Sequence, residues 1–314
     1  MESRNKPKVI VIVGPTASGK TALSIELAKK INGEIVSCDS MQIYKDMNIG
    51  SAKPTIDEMQ GIKHYLIDVV EPTERFSVAE YKKRAEQAIE EILKKGKIPI
   101  VIGGTGLYAN SLIYGIEYNE IEFDEKFRND LMKKSETEEG LQLLYEEAKK
   151  IDPIAVEKIS NNDKKRIIRI LEIFHSTGKT KTQQEIESRM NSIKYDYKVF
   201  AINIERPILY ERINKRVDIM IEQGLIKEVQ DIIAKYKDFP TAMQAIGYKE
   251  IVEYLNGKIT KEEAIEKIKQ ESRRYAKRQI TWFKRIDNLI WLNGLDTIQN
   301  NIDIILEEID WEKY

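Results

Sequence analysis

From Lys8 to about Gly115, short apolar runs alternate with stretches whose apolar positions recur at helical spacing. The apolar runs are "KVIVIV" (Lys8 to Val13), "EIVSCDS" (Glu34 to Ser40), "HYLIDVV" (His64 to Val70) and "IPIVIGGTG" (Ile98 to Gly106). Each is short, rich in β-branched residues and continuous rather than alternating, which is the signature of strands buried on both faces. The periodic stretches between them, including one from Ser77 to Lys95, predict covering helices. Near Asn119 the texture changes. The chain becomes polar, helical in period and free of strand signals until about Asn191. "YKVFAINIE" (Tyr197 to Glu205) then restores a strand, and beyond Pro207 the pattern is helical again with one late apolar run, "NLIWLN" (Asn288 to Asn293).

The junction between the first strand and the first helix carries the sharpest motif. "GPTASGKT" matches G-x-x-x-x-G-K-[ST] with Gly14, Gly19, Lys20 and Thr21 in place. In such a loop, backbone N–H groups and a helix N-terminus converge on an anion; Lys20 adds a point charge, and the Thr21 hydroxyl can hold Mg²⁺. The predicted fold is therefore α/β, a P-loop NTPase-like parallel sheet flanked by helices, with an inserted helical domain. Residues 1–118 form the first part of the core, 119–194 the insertion, and 195–314 the second, mostly helical part.

Composition narrows the function classes. A third of the 314 residues are charged but the formal net charge is −1, so a nucleic-acid partner must be met by a local basic face. One cysteine, Cys38, excludes a disulfide framework and a multi-cysteine zinc site, and reads as small apolar filler. The first residues lack the apolar core of a signal peptide, and no run approaches the length of a membrane span. A cytoplasmic protein without a membrane partner, and a monomer, is the expectation.

In open α/β sheets ligands sit beyond the carboxyl ends of strands. Asp39 follows the second strand and is open to three roles: metal ligand, general base, or cap of the next turn. Ser40, Met41 and Gln42 continue from it. Thr105, after the paired glycines of "GGTGLY", is either close to a ligand or an ordinary helix cap. Arg216, on the helix after the restored strand, either reaches the phosphates from the side opposite Lys20 or is an exposed arginine in an i, i+4 pair. Two basic stretches stand out, one placing Lys165, Arg166 and Arg169 within about one helical turn and one running from Arg273 to Arg285 among aromatics. Such runs are usually solvated faces, but two beside a phosphate loop favour a polyanionic substrate. His64 reads as a core histidine, and His175 as a partner of helix-terminal carbonyls.

The blocks "GPTASGKT", "DSMQIY", "GGTGLY", "NDKKRIIRILEIFHSTGK", "QAIGYKE" and "AKRQITWF", in that order over nearly the whole chain, resemble the tRNA dimethylallyltransferase family, in its bacterial form. The resemblance implies transfer of a dimethylallyl group from dimethylallyl diphosphate to N6 of adenosine 37 in the anticodon stem-loop of a tRNA, with Mg²⁺ as cofactor. It makes Asp39 the general base. Gly14, Pro15, Thr16, Ala17, Ser18, Gly19, Lys20 and Thr21 become the diphosphate loop, with Thr21 on the metal and Arg216 beside Lys20. It also assigns tRNA contact to Asp39, Ser40, Met41, Gln42, Thr105, Arg128, Lys165, Arg166, Ile167, Ile168 and Arg169. This chain departs from the family in having Lys164 and Lys165 where a proline and a glutamine are usual. It also ends soon after "NLIWLN", without the zinc-finger extension of eukaryotic relatives. The competing readings are a P-loop kinase of a nucleoside or small metabolite, an adenylate prenyltransferase, and an RNA-binding ATPase that makes no covalent product.

Overall fold

β1 (Lys8–Val13) runs through the middle of a parallel sheet whose other strands are β2 (Gly33–Ser37), β3 (His64–Tyr65), β4 (Ile98–Gly103), β5 (Asp196–Asn203) and β6 (Ile290–Asn293). The strand order is β3-β2-β4-β1-β5-β6, and every neighbouring pair is parallel. Ile10 sits opposite Ile100 on one side and Lys198 on the other. The structure, a computed structural model, describes residues 6–117, 124–188 and 193–309.

Both faces of the sheet are covered, as the continuous apolar runs require. Ile12, Ile35, Ile100 and Phe200 are fully buried against Leu27 of the helix Lys20–Lys30 and Ile305 of the helix Ile298–Ile309. Truncating any one of these to alanine costs about 2–5 kcal/mol. The helix Val78–Lys94 begins where Ser77 accepts the Glu80 amide at 3.1 Å. The 23-residue helix Lys261–Phe283 begins with a capping box between Thr260 and Glu263. A second core joins Ile43, Tyr44, Met47 and Val70 to Val217, Val229, Ile251 and Ile268.

The run "HYLIDVV" forms far less strand than its composition predicts. Only His64 and Tyr65 pair with β2, and Val70 makes a lone bridge to Tyr44. Leu66 and Asp68 have φ of 61° and 56°, a left-handed backbone that a continuous strand does not admit.

The chain divides into two compact units, Met1–Ile113 with Lys194–Tyr314, and Tyr114–Ile193. The boundary expected at residues 118 and 119 lies outside the described residues. In the second unit Gly115 (φ 61°) lies beside Ile193, a β-carbon there falling 3.9 Å from the isoleucine Cα, so the two ends of the unit meet. Its helices Glu125–Lys134, Glu138–Ile151 and Lys164–Thr177 bury Leu131, Leu144, Ala148, Ile167 and Ile168 together.

Candidate active site

The phosphate loop follows directly from the end of β1. Ala17 and Gly19 take positive φ, 62° and 88°, turning successive backbone amides toward one side before the helix begins at Lys20. Alternation of this kind makes an anion-binding concavity at a helix N-terminus. Lys20 Nζ donates to the Pro15 carbonyl at 2.7 Å, so its ammonium is folded back over the loop. The Thr16 amide is held from across the fold by Gln279 Oε1 at 3.0 Å.

Beside it, the ends of β2 and β4 continue to hydrogen-bond past the strands. Cys38 N–H donates to the Ile102 carbonyl at 2.6 Å, and Thr105 N–H donates to the Cys38 carbonyl at 3.1 Å. Gly103 is required here, because a β-carbon would stand 2.0 Å from the Cys38 carbonyl oxygen. Cys38 is fully buried, and that burial pushes its thiol up to about 12. The junction places Asp39 and Thr105 on adjacent strand ends. Thr105 Oγ1 accepts the Ser40 amide at 3.0 Å and donates to Ser40 Oγ at 3.3 Å. Asp39 Oδ1 accepts the amides of Met41 at 2.8 Å and Gln42 at 3.3 Å, so the carboxylate does cap its own turn. Among the described residues its Oδ2 makes no hydrogen bond, which leaves that oxygen available for other work.

These groups line one cavity of about 410 Å³, whose wall includes Lys20, Thr21, Asp39, Gln42, His64 and Arg216. Its electrostatics are unusual. Burial lowers the Lys20 ammonium to about 7, the nearby Arg216 guanidinium pushes the same way, and Asp39 opposes them. Burial likewise lowers Arg216, with Asp39 opposing. Neither cation has a carboxylate within ion-pair distance among the described residues. Two half-buried cations whose compensation comes only at a distance, from Asp39 and, for Arg216, from Glu58, would both be relieved by a polyanion.

The basic residues expected to meet RNA lie in the second unit. Arg128 donates to Glu172 Oε1 at 2.7 Å, and Arg169 approaches the other oxygen of the same carboxylate at 3.5 Å. Arg166 pairs with Asp163 at 3.0 Å on the exposed face that also carries Lys165. Ile167 and Ile168 are fully buried, which corrects the expectation for their side chains. They pack into the unit's own core, and the surface of this helix belongs to Lys164, Lys165, Arg166 and Arg169. His175 does not serve the helix end either; its Nε2 lies 3.3 Å from Asp124 Oδ2 and its ring stacks on Phe127 at 3.8 Å.

Some site residues are invisible to local sequence patterns. His64 lines the cavity rather than the core, its Nδ1 2.9 Å from the Ile62 carbonyl and its pKa lowered by burial. Tyr275 and Gln279 also line it, both from the block "AKRQITWF" and its flank. Gln279 ties the Thr16 amide to the Gly104 carbonyl, to which its Nε2 donates at 2.9 Å. The membership of that block is the one sequence signal that points to them.

Thr21 Oγ and the Asp39 carboxylate offer hard oxygen donors at the cavity, and no cluster of three or more His, Cys, Asp or Glu capable of holding an ion occurs among the described residues. That donor set fits Mg²⁺ held largely by substrate oxygens and water.

A parallel sheet with a phosphate loop after its inner strand β1, and a carboxylate just past β2 on the far side of β4, defines a P-loop-like α/β protein. The sequence matches the IPP transferase family over residues 42–286. The chain belongs to that family. It is 52% identical over 286 residues to a tRNA dimethylallyltransferase of Acetivibrio thermocellus, covering 91% of each chain. It is 45% identical to the crystal structure of tRNA delta(2)-isopentenylpyrophosphate transferase from Staphylococcus epidermidis, covering 97% and 99% of the two chains with a TM-score of 0.72. A eukaryotic dimethylallyltransferase captured acting on tRNA is 32% identical, with 96% of this chain and 79% of that one covered and a TM-score of 0.79. Among the described residues no helix is long and apolar enough to cross a membrane.

Proposed function

We propose that this protein transfers a dimethylallyl group from dimethylallyl diphosphate to N6 of adenosine 37 in the anticodon stem-loop of tRNA, releasing diphosphate. The observation that carries the reading is the placement of Lys20, Arg216 and the Asp39 carboxylate on the wall of one cavity, the two cations penalised by burial and without an ion-pair partner among the described residues.

An exocyclic adenine amine is a weak nucleophile because its lone pair is delocalised into the ring. Asp39 Oδ2 accepts its proton as the N6–carbon bond forms, while Oδ1 stays fixed by the Met41 and Gln42 amides. The bond from the allylic carbon to the bridging oxygen breaks, and the electron pair leaves on diphosphate. The backbone of Gly14 to Thr21, together with Lys20 and Arg216, receives that charge. Thr21 Oγ would hold Mg²⁺, which when bound would add to the neutralisation of that charge. Ser40, Met41, Gln42 and Thr105 read the adenine edge, which reaches the cavity as an unstacked loop base. Arg128, Lys165, Arg166 and Arg169 contact tRNA phosphates.

The test is the intact mass of an anticodon stem-loop RNA with adenosine at position 37, after incubation with dimethylallyl diphosphate and Mg²⁺. The expected result is a gain of one prenyl unit that depends on adenosine 37 and is greatly reduced by Asp39→Ala. An unchanged RNA mass with ATP consumed would return the site to kinase or ATPase chemistry.

A further inference from the structure

Glu228 lies on the helix Leu225–Lys235, outside the cavity wall, yet its carboxylate is saturated by contacts that lead into it. Oε2 accepts the backbone amides of Asn48 at 2.9 Å and Ile49 at 2.7 Å. Oε1 accepts the Gly50 amide at 3.1 Å and the Tyr248 hydroxyl at 2.7 Å. Three successive N–H groups converging on one point form a backbone nest of the kind that binds anions, here filled by the protein's own carboxylate. Four donors thus converge on its two oxygens, two on each.

The loop so held continues as Gly50, Ser51 and Ala52, all on the cavity wall. The carbonyls of Ser51 and Ala52 accept Gln42 Nε2 at 3.5 and 3.2 Å. Gln42 Oε1 accepts from Ser37 Oγ at 3.2 Å, and the Gln42 amide donates to Asp39 Oδ1. A continuous run of hydrogen bonds and one short backbone segment therefore joins Glu228 to Asp39. Gly50 is pressed against the second partner of the carboxylate: a β-carbon there would stand 2.4 Å from Tyr248 Cε2. The segment belongs to no strand or helix; turn bonds from Ala52 N–H to the Ile49 carbonyl and from Lys53 N–H to the Asn48 carbonyl, both 2.9 Å, shape it locally, and the Glu228 and Gln42 contacts tie it to the rest of the fold.

We infer that Glu228 is a positioning residue for the reaction, its carboxylate fixing the loop from Asn48 to Ala52 so that Gln42 and Asp39 are presented to the acceptor adenine. The inference rests on the assignment of Asp39 and Gln42 to the acceptor side of the site.

The experiment measures kcat and KM for the stem-loop RNA, and the dissociation constant of dimethylallyl diphosphate, in the wild type, Glu228→Gln, Gly50→Ala and Val229→Ala. In Glu228→Gln an N–H₂ group faces amide donors, so kcat/KM for RNA is expected to fall about tenfold or more. The affinity for dimethylallyl diphosphate, set by the phosphate loop, stays within about twofold. Gly50→Ala keeps the Glu228 side chain but drives a β-carbon into the Tyr248 ring, so it displaces the same loop together with that partner of the carboxylate and is expected to show the same split; if Glu228→Gln does not fold, Gly50→Ala decides alone. Val229, buried in the core beside Glu228, supplies the control. Val229→Ala is expected to lower the melting temperature while leaving kcat/KM for RNA within about twofold. Loop variants indistinguishable from wild type, or a Val229→Ala loss equal to theirs at equal stability, overturn the inference. A wild type that never prenylates the RNA overturns the functional reading and this inference together, whereas an active wild type with unaffected loop variants overturns this inference alone.

Discussion

The Thr16 amide of the phosphate loop and Gln279 Oε1 are 3.0 Å apart, although 263 residues separate them in the chain. Because Gln279 Nε2 also donates to the Gly104 carbonyl, one side chain sets the spacing between the phosphate loop and the β4 end. Gln279→Leu leaves both backbone groups without a partner. Each lost bond is worth about 1–3 kcal/mol, so a lower melting temperature and a raised KM for dimethylallyl diphosphate are expected together. Calorimetry and steady-state kinetics on the one variant check both.

Lys20 makes the phosphate loop sensitive to pH. With its ammonium at about 7 it is a cation below that pH and increasingly neutral above it in the free protein. A bound diphosphate stabilises the cation and draws its pKa upward, so binding takes up protons on the alkaline side. The affinity for dimethylallyl diphosphate should therefore weaken by up to about tenfold per pH unit above neutrality. Titration calorimetry at about pH 8.5 in buffers of different ionisation enthalpy should show the uptake, and Lys20→Met should abolish it.

Asp39→Asn keeps an oxygen that can cap the turn at Met41 and Gln42 but removes the basic site. The loss in kcat is expected at about 10²–10⁴-fold, with the melting temperature little changed. Single-turnover prenylation followed by RNA mass reads it. A loss below tenfold would mean that the amine needs no base from this position.

Gly103 allows the β4 end to pass the Cys38 backbone, with which a β-carbon collides at 2.0 Å. Backbone atoms cannot swing aside as a side chain can. Gly103→Ala should thus destabilise by about 1–3 kcal/mol or more and degrade the Asp39 to Thr105 junction. Urea unfolding and prenylation rate should fall together.

Lys165, Arg166 and Arg169 are exposed on their helix together with Lys164. Replacing them one at a time by alanine should weaken RNA binding whatever the stem sequence. The slope of log affinity against log salt should shrink by about 0.7–0.9 for each phosphate contact removed. Ile167→Val, which alters only the buried side, should leave that slope unchanged.

Much of this architecture is readable from the chain because its signals are local. The apolar run at Lys8–Val13, the glycines at 14 and 19 and the carboxylate at Asp39 are determined by strand burial, turn geometry and position after a strand. The segments around Asn48 and from His64 to Val70 are not. The apolar run from His64 suggests a strand, but left-handed Leu66 and Asp68 interrupt it, and the turn at Asn48 to Gly50 is held by a carboxylate on a helix far along the sequence. Gln279 and Glu228 escape sequence reading for the same reason: a polar side chain on a helix looks solvated until the backbone it meets is known. His64 shows the opposite error, since a histidine in an apolar run reads as core when the strand in fact ends at the cavity. The family resemblance assigns tRNA contact to the whole run from Lys165 to Arg169, whereas helical geometry turns the side chains of Ile167 and Ile168 inward.

The close approach of Gly115 to Ile193 has a consequence for the length of chain between them. A chain excursion whose ends nearly touch makes little geometric demand on the sheet it interrupts. Doubling the length of a flexible closed loop adds only about 0.6 kcal/mol to its closure free energy. By chain geometry alone, the excursion can therefore lengthen or shorten while the strands on either side keep their register, and what restrains its sequence is its own core and its charged surface rather than the sheet.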